Sequence, residues 1–110
     1  MANDDVGAVL EALADPTRRR VVELLGRRAH RAGELAQALN TSAPAMSRHL
    51  RILLETGVVT DERVPDDARV RLFRLRPEPV DALQAWLDQV QAHWQEQLAS
   101  FKRYAEESPS

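Results

Sequence analysis

Apolar residues recur at helical spacing in five stretches of the chain, and each stretch predicts a helix. In the first stretch, an apolar stripe at positions i, i+3, i+4 and i+7 is formed by Val6, Val9, Leu10 and Leu13. The second helix is expected to begin at Asp15 and Pro16, because a carboxylate suits the N-cap and proline suits the first helical position. We expect Gly26 to end this helix. A third, short helix is expected over residues 32–39.

The fourth predicted helix, over residues 42–55, has two chemically different faces. Its apolar face is formed by Met46, Leu50 and Leu53. Its polar face is formed by Ser47, Arg48 and Arg51. Thr41 or Ser42 supplies an N-cap oxygen, and Gly57 supplies the left-handed residue that ends the helix. Hydroxyl and guanidinium groups over an apolar back suit a helix that contacts DNA, although an ordinary solvated helix has the same polarity.

Two β-rich runs follow this helix and predict a hairpin. They cover residues 58–64 and 69–75, and the residues between them are Pro65, Asp66, Asp67 and Ala68. Residues 40–42 have the length of the turn in a helix-turn-helix pair. The order helix, turn, helix, hairpin predicts a winged helix-turn-helix, a mainly α fold whose small β-hairpin, the wing, covers about residues 58–76.

The last predicted helix, over about residues 78–105, has a heptad-type apolar seam formed by Val80, Leu83, Leu87, Val90, Trp94, Gln97, Phe101 and Tyr104. A helix of about 25 residues is roughly 37 Å long, more than so small a domain covers from one side. We therefore expect a two-fold homodimer through the first and last helices, since the first has no other evident partner. The expected interface comprises Val6, Val9, Leu10, Leu13, Leu83, Leu87, Val90, Trp94 and Phe101. The alternative is that the seam packs wholly within one chain.

Composition limits the function classes further. The 110 residues suggest a single domain, 1–110, and the absence of cysteine excludes disulfides and thiolate metal sites. No signal peptide or long apolar run is present, so we expect a cytoplasmic protein without a membrane partner. The net charge of -2 is unusual for a nucleic-acid-binding domain, but the charge is segregated. Residues 31–54 carry three arginines and one acid, whereas residues 77–110 carry two bases and six acids.

The chain contains two longer motifs, the second of which includes the predicted turn: ALADPTRRRVVELL at residues 12–25 and GELAQALNTSAPAMSRHLRILLETGVV at residues 33–59. With the hairpin and the long last helix, they make the chain resemble the ArsR/SmtB-type winged-helix repressors over nearly its whole length. The resemblance implies a homodimer that binds a two-fold operator in double-stranded DNA and is released by a ligand or signal. By position, it implies that the DNA-facing residues are Ser42, Ala43, Pro44, Ser47, Arg48, His49 and Arg51.

Other basic residues leave alternatives open. Arg18 belongs to a run of three arginines that is either a solvated face or contains a phosphate contact. Residues 27–31 form a basic connector that is either merely exposed or lies along bound DNA. Arg69 and Arg71 of the wing are further DNA-contact candidates, although acids crowd its tip. His49 either faces a phosphate or lies between helices, bonded to a carbonyl.

The sequence predicts no metal site and no cofactor. Where metal sensors of the similar family have two cysteines, this chain has Arg31 and Gly33. His93 and Glu96 match half of the family's other metal site, and only a partner chain would complete it. An unidentified small hydrophobic effector is a further candidate partner, held near Trp86, Trp94 and Phe101, although aromatic residues at helical spacing are more often interface core.

Our preferred hypothesis is therefore a sequence-specific DNA-binding transcriptional regulator, expected to be a homodimeric repressor and not a thiolate metal sensor. The alternative is a protein-interaction module that reuses the winged helix without binding DNA. Nothing indicates an enzyme, because the three histidines are scattered, no glycine-rich phosphate loop is present, and no nucleophile stands beside a base.

Overall fold

The computed structural model describes residues 2–107, with side chains from Val6 onward, so the ends of the predicted domain 1–110 lie outside the described residues. The fold class is confirmed: the described chain is mainly helical with one antiparallel hairpin in a winged helix-turn-helix order. The elements are α1 (Ala2–Ala12), α2 (Pro16–Arg27), α3 (Ala32–Ala38), α4 (Ala43–Glu55), β1 (Val59–Val64), β2 (Asp67–Leu75) and α5 (Pro77–Glu107).

The core joins the helix-turn-helix to its neighbours. The apolar face expected on α4 is fully buried, with Met46, Leu50 and Leu53 at most 2% exposed. These side chains pack with residues from α1, α2, α3 and the wing, among them Val9, Val21, Leu35 and Phe73. Because tightly packed side chains cover the apolar face of α4, the opposite face of the helix is held in a defined orientation.

The ends of α4 have local causes. The Oγ of Ser42 accepts a hydrogen bond from the N–H of Ala45 at 3.2 Å, which makes Ser42 the N-cap. Gly57 has φ 80°, a left-handed conformation that a side chain would strain. Helix α4 therefore begins and ends at signals in its own sequence.

Helix α2 starts as expected but does not end at Gly26. The Asp15 carboxylate accepts hydrogen bonds from the backbone N–H groups of Arg18, at 3.1 Å, and Thr17, at 2.8 Å. The hydrogen bond from Arg18, together with that from Thr17, holds the pKa of Asp15 below its ordinary value. The expectation for Gly26 is wrong, because the helix continues to Arg27 and the N–H of Arg28 still bonds to the carbonyl of Leu24.

The wing has a tighter turn than expected and an additional neighbour. Strand β2 begins at Asp67, so only Pro65 and Asp66 form the turn. His30 pairs with Phe73 through two backbone hydrogen bonds of 3.1 and 2.8 Å. The His30 side chain is 7% exposed and bonds through Nδ1 to the carbonyl of Arg28. This part of the basic connector is neither merely exposed nor free to lie along DNA, because it docks on the wing.

Helix α1 has a partner within its own chain, so the premise that it lacks one is wrong. It packs against α5, and Val6 and Val9 are 6% and 1% exposed. Helix α5 has 31 residues, about 46 Å, and every residue from 91 to 107 is exposed. The radius of gyration is 19.6 Å, against about 13 Å for a compact domain of this length. The second half of α5 thus projects away from the body.

Candidate nucleic-acid interface

The exposed face of α4 combines small, hydroxyl and cationic side chains. Its exposed residues include Ser42, Ala43, Pro44, Ser47, Arg48 and Arg51. The small residues lie at the start of the helix, where bulky side chains would keep the backbone away from a groove. The two arginines follow on the next turns. This face can therefore approach a duplex closely at one end and offer guanidinium donors along its length.

Three arginines of the wing, Arg69, Arg71 and Arg74, form ion pairs with acids of the same hairpin. Arg71 forms an ion pair with Asp61 at 2.7 Å, and Arg69 forms one with Asp67 at 3.2 Å. Arg74 pairs likewise with Glu62. The antiparallel register explains the first pair, since Asp61 is opposite Phe73, two residues from Arg71. The wing therefore carries little uncompensated positive charge.

The arginines of α4 have no such compensation. Within the part of the chain that the structure describes, neither Arg48 nor Arg51 belongs to an ion pair. Their charges are therefore available to an external anion on the exposed face of α4. This separation explains how a chain with a net charge of -2 presents a cationic face.

A groove of about 520 Å³ separates α4 from the wing. Its cationic lining comprises Arg31, Arg51, Arg69 and Arg71, and its apolar lining includes Leu50, Leu54 and Phe73. The hydrogen bond from the Arg69 side chain, aided by the charge of Arg31, holds the pKa of Asp67 below its ordinary value. Sequence patterns did not place Arg31 beside the wing. The backbone hydrogen bonds between His30 and Phe73 do so, because Arg31 is the residue directly after His30.

Arg18 is not a freely exposed cation. Its Nε donates a 2.7 Å hydrogen bond to the carbonyl of Ala12, and its Nη1 lies 3.4 Å from Nδ1 of His49. Because guanidinium is always protonated, Arg18 is the donor to His49. His49 is half-buried and faces this arginine, not a backbone carbonyl as one of the two expectations held. The sequence left Arg18 between a solvated face and a phosphate contact, and the structure shows it half-buried with two hydrogen bonds inside the chain.

The apolar seam of α5 lies partly on the body and partly in the open. Leu83 and Val90 are half-buried, whereas Leu87 is 44%, Trp94 60% and Phe101 70% exposed. On α1, Leu10 is 40% exposed and Leu13 is half-buried. Among the expected interface residues, Val6 and Val9 are already covered within the chain.

Comparisons with known proteins agree with this geometry. A family described as a helix-turn-helix domain matches residues 13–62. The HTH-type transcriptional regulator Rv2034 of Mycobacterium tuberculosis is 42% identical over 78 residues, which cover 71% of this chain and 70% of that protein. The chain belongs to the ArsR/SmtB-type family of helix-turn-helix transcriptional regulators.

Other members support the same assignment. An ArsR-like transcriptional regulator from Rhodococcus sp. RHA1 superposes with a TM-score of 0.80 at 29% identity, over 96% of this chain and 97% of that one. The transcriptional repressor SdpR of Bacillus subtilis is 42% identical over 55 residues, 50% of this chain. That match spans 61% of the length of SdpR.

Two further expectations concern metal ions and aromatic side chains of this ArsR/SmtB-type chain. Within the described residues, no three histidine, aspartate or glutamate side chains form a metal-binding group, and His93 and Glu96 are exposed on α5. Trp94 and Phe101 are exposed on α5 and Trp86 is half-buried, and the small hydrophobic effector stays a prediction. None of the described helices is long and apolar enough to cross a bilayer.

Proposed function

We propose that this chain represses transcription as a homodimer that binds a two-fold operator in double-stranded DNA. The observation that carries the proposal is the exposed face of α4, whose arginines have no acidic partner in the described structure and whose apolar back is fully buried. Such a helix fits the major groove, where base edges present distinct donors and acceptors. The names of the relatives as regulators and repressors support the proposal.

Each part of the α4 face has a role in this proposal. Ser42, Ala43 and Pro44 allow close approach, and the methyl group of Ala43 suits contact with a thymine methyl. Ser47 and Arg48 contact base edges. Arg51 lines the groove beside the wing and contacts a phosphate there.

Arg69 and Arg71 have a secondary role, because both are paired with wing carboxylates and must give up or share those pairs to bind a phosphate. His49, bonded to Arg18, contributes to the orientation of α4.

The homodimer is supported by the exposed seam of α5. Leu87, Trp94 and Phe101 would be covered by the same helix of a second copy. Two-fold symmetry would then present two α4 helices to successive major grooves, roughly 34 Å apart. An operator of two inverted half-sites follows from this geometry.

The test is to select bound sequences from a random duplex pool and to measure affinity for the selected and for a scrambled duplex by fluorescence anisotropy. Arg48→Ala should cost about 1–3 kcal/mol on the selected duplex and little on the scrambled one. Arg51→Ala should weaken both and lower the slope of log affinity against log salt by about 1. Arg74→Ala is the control, since Arg74 pairs with Glu62 in the wing. A wild-type protein without preference for any selected duplex would refute the proposal.

A further inference from the structure

The guanidinium of Arg18 connects three helices. The backbone N–H of Arg18 is one of the free amides in the first turn of α2, and it donates a hydrogen bond to the Asp15 carboxylate at 3.1 Å. The side chain of Arg18 contacts the other two helices. Its Nε reaches back to the carbonyl of Ala12, the last residue of α1, at 2.7 Å. Its Nη1 reaches forward to His49, in the middle of α4, at 3.4 Å. The end of α1, the start of α2 and the DNA-facing helix thus meet at one side chain.

His49 is well placed to control the rotation of α4 about its own axis. It is adjacent in sequence to Arg48, and it is half-buried while Arg48 is exposed. The α4 core residues Met46, Leu50 and Leu53 hold the apolar face of the helix by close packing. The bond to Arg18 adds a directional contact on this side of the helix.

Small rotations matter for contacts with base edges. Side chains extend about 5–6 Å from a helix axis, so a rotation of roughly 10° moves their ends by about 1 Å. A hydrogen bond to a base tolerates less than that, because its donor–acceptor distance lies within about 0.5 Å. Phosphate contacts by long, flexible arginines tolerate more.

We propose that Arg18 is a positioning residue for sequence discrimination: by bonding to Ala12 and His49 it sets the rotation of α4, and so the aim of Ser47 and Arg48. This inference rests on the proposed function. The same two hydrogen bonds of Arg18 connect the end of α1, which packs on α5, to α4. A phosphate contact and a positioning role make opposite predictions for the same variants.

The experiment uses the full chain with the selected and scrambled duplexes. Arg18→Ala and Arg18→Lys should both reduce the ratio of the two affinities about tenfold, since a lysine ammonium lacks the fork that holds two acceptors at once. The salt dependence of binding to scrambled DNA should not change. Arg20→Ala is the matched control, because Arg20 is an exposed neighbour in the same run. It should leave the affinity ratio unchanged.

A second pair of variants tests the other end of the bond and does not depend on the folding of the Arg18 variants. His49→Gln retains an acceptor oxygen and should keep most of the discrimination, whereas His49→Leu should lose about as much as Arg18→Ala. The double variant Arg18→Ala, His49→Leu should lose no more than either single one, which shows that the two side chains act as a unit.

Three results would overturn the inference. A salt slope lowered by about 1, with an unchanged affinity ratio, would make Arg18 a phosphate contact. A lower melting temperature with an unchanged ratio would make its role structural only. If the wild type itself does not discriminate, the proposed function fails, and the inference falls with it. Failure of the proposed function is distinguishable from failure of this inference, because it is seen in the wild-type affinities alone, before any variant is measured.

Discussion

Trp94 offers the sharpest test of the proposed homodimer. Its side chain is 60% exposed on the projecting part of α5. A tryptophan buries about 150–250 Å² when fully covered. The exposed fraction therefore leaves roughly 100–150 Å² per copy, and a dimer that covers it in both copies gains about 5–7 kcal/mol at ~25 cal/mol per Å². Because alanine retains some contact and coverage is incomplete, Trp94→Ala should weaken the dimer by about 3–5 kcal/mol.

This loss corresponds to an increase of about 10²- to 10³-fold or more in the dimer dissociation constant. Sedimentation velocity over a concentration series from roughly 0.1 to 100 μM measures it directly. Circular dichroism should show an intact fold, since Trp94 lies outside the core of its own chain. Gln89→Ala is the matched control, because Gln89 is exposed and about 140° around the helix from Trp94.

The reasoning fails in either of two cases. If the wild type remains a monomer at micromolar concentration, the exposed seam is not a homodimer interface. If the wild type dimerises and Trp94→Ala changes its dissociation constant by less than about tenfold, the interface lies elsewhere. A Gln89→Ala variant as weak as Trp94→Ala would show that helix stability, and not the seam, governs assembly.

Further substitutions test stability and are measured by chemical or thermal unfolding. Leu53→Ala should lower the free energy of unfolding by about 2–5 kcal/mol, because Leu53 is 0% exposed. Leu54→Ala should lower it by less, because Leu54 is half-buried, and equal losses for the two variants would contradict the packing. Asp15→Ala should cost about 1 kcal/mol at neutral pH. Since the folded-state pKa of Asp15 is lowered, this contribution is present above its unfolded pKa of about 4 and is lost as the pH falls through the folded value. A difference between wild type and Asp15→Ala that grows in acid would refute this. Gly26→Ala should raise stability by about 0.5 kcal/mol, since Gly26 is helical and a Cβ would meet Leu75 at an ordinary 3.9 Å. Gly57→Ala should lower stability because its φ is +80°, and matching signs for the two glycines would be inconsistent with the structure.

The helices and the hairpin were predictable because their signals are local. The cap at Asp15, the apolar steps of Met46, Leu50 and Leu53, and the stop at Gly57 each involve residues a few positions apart. Gly26 shows the limit of this approach. A glycine ends a helix only when the chain turns left-handed there, and hydrogen bonds beyond Gly26 kept α2 regular.

Contacts between distant residues depended on the packed fold. Arg18 and His49 are 31 positions apart, and no periodicity relates them. Arg31 lines the groove because His30 docks on Phe73. Which arginines form ion pairs is likewise a tertiary property. Composition gives the number of arginines in the chain, but not which of them pair with an acidic side chain.

The order of elements, the caps at Asp15, Ser42 and Gly57 and the two faces of α4 follow from the amino-acid sequence alone, because each depends on spacing within one or two helical turns. The tertiary structure decided which arginines pair with acids, where α1 packs and that Arg18 bonds to His49. Those outcomes depend on which surfaces pack against each other in the folded chain. The local spacing of polar and apolar residues does not determine that packing.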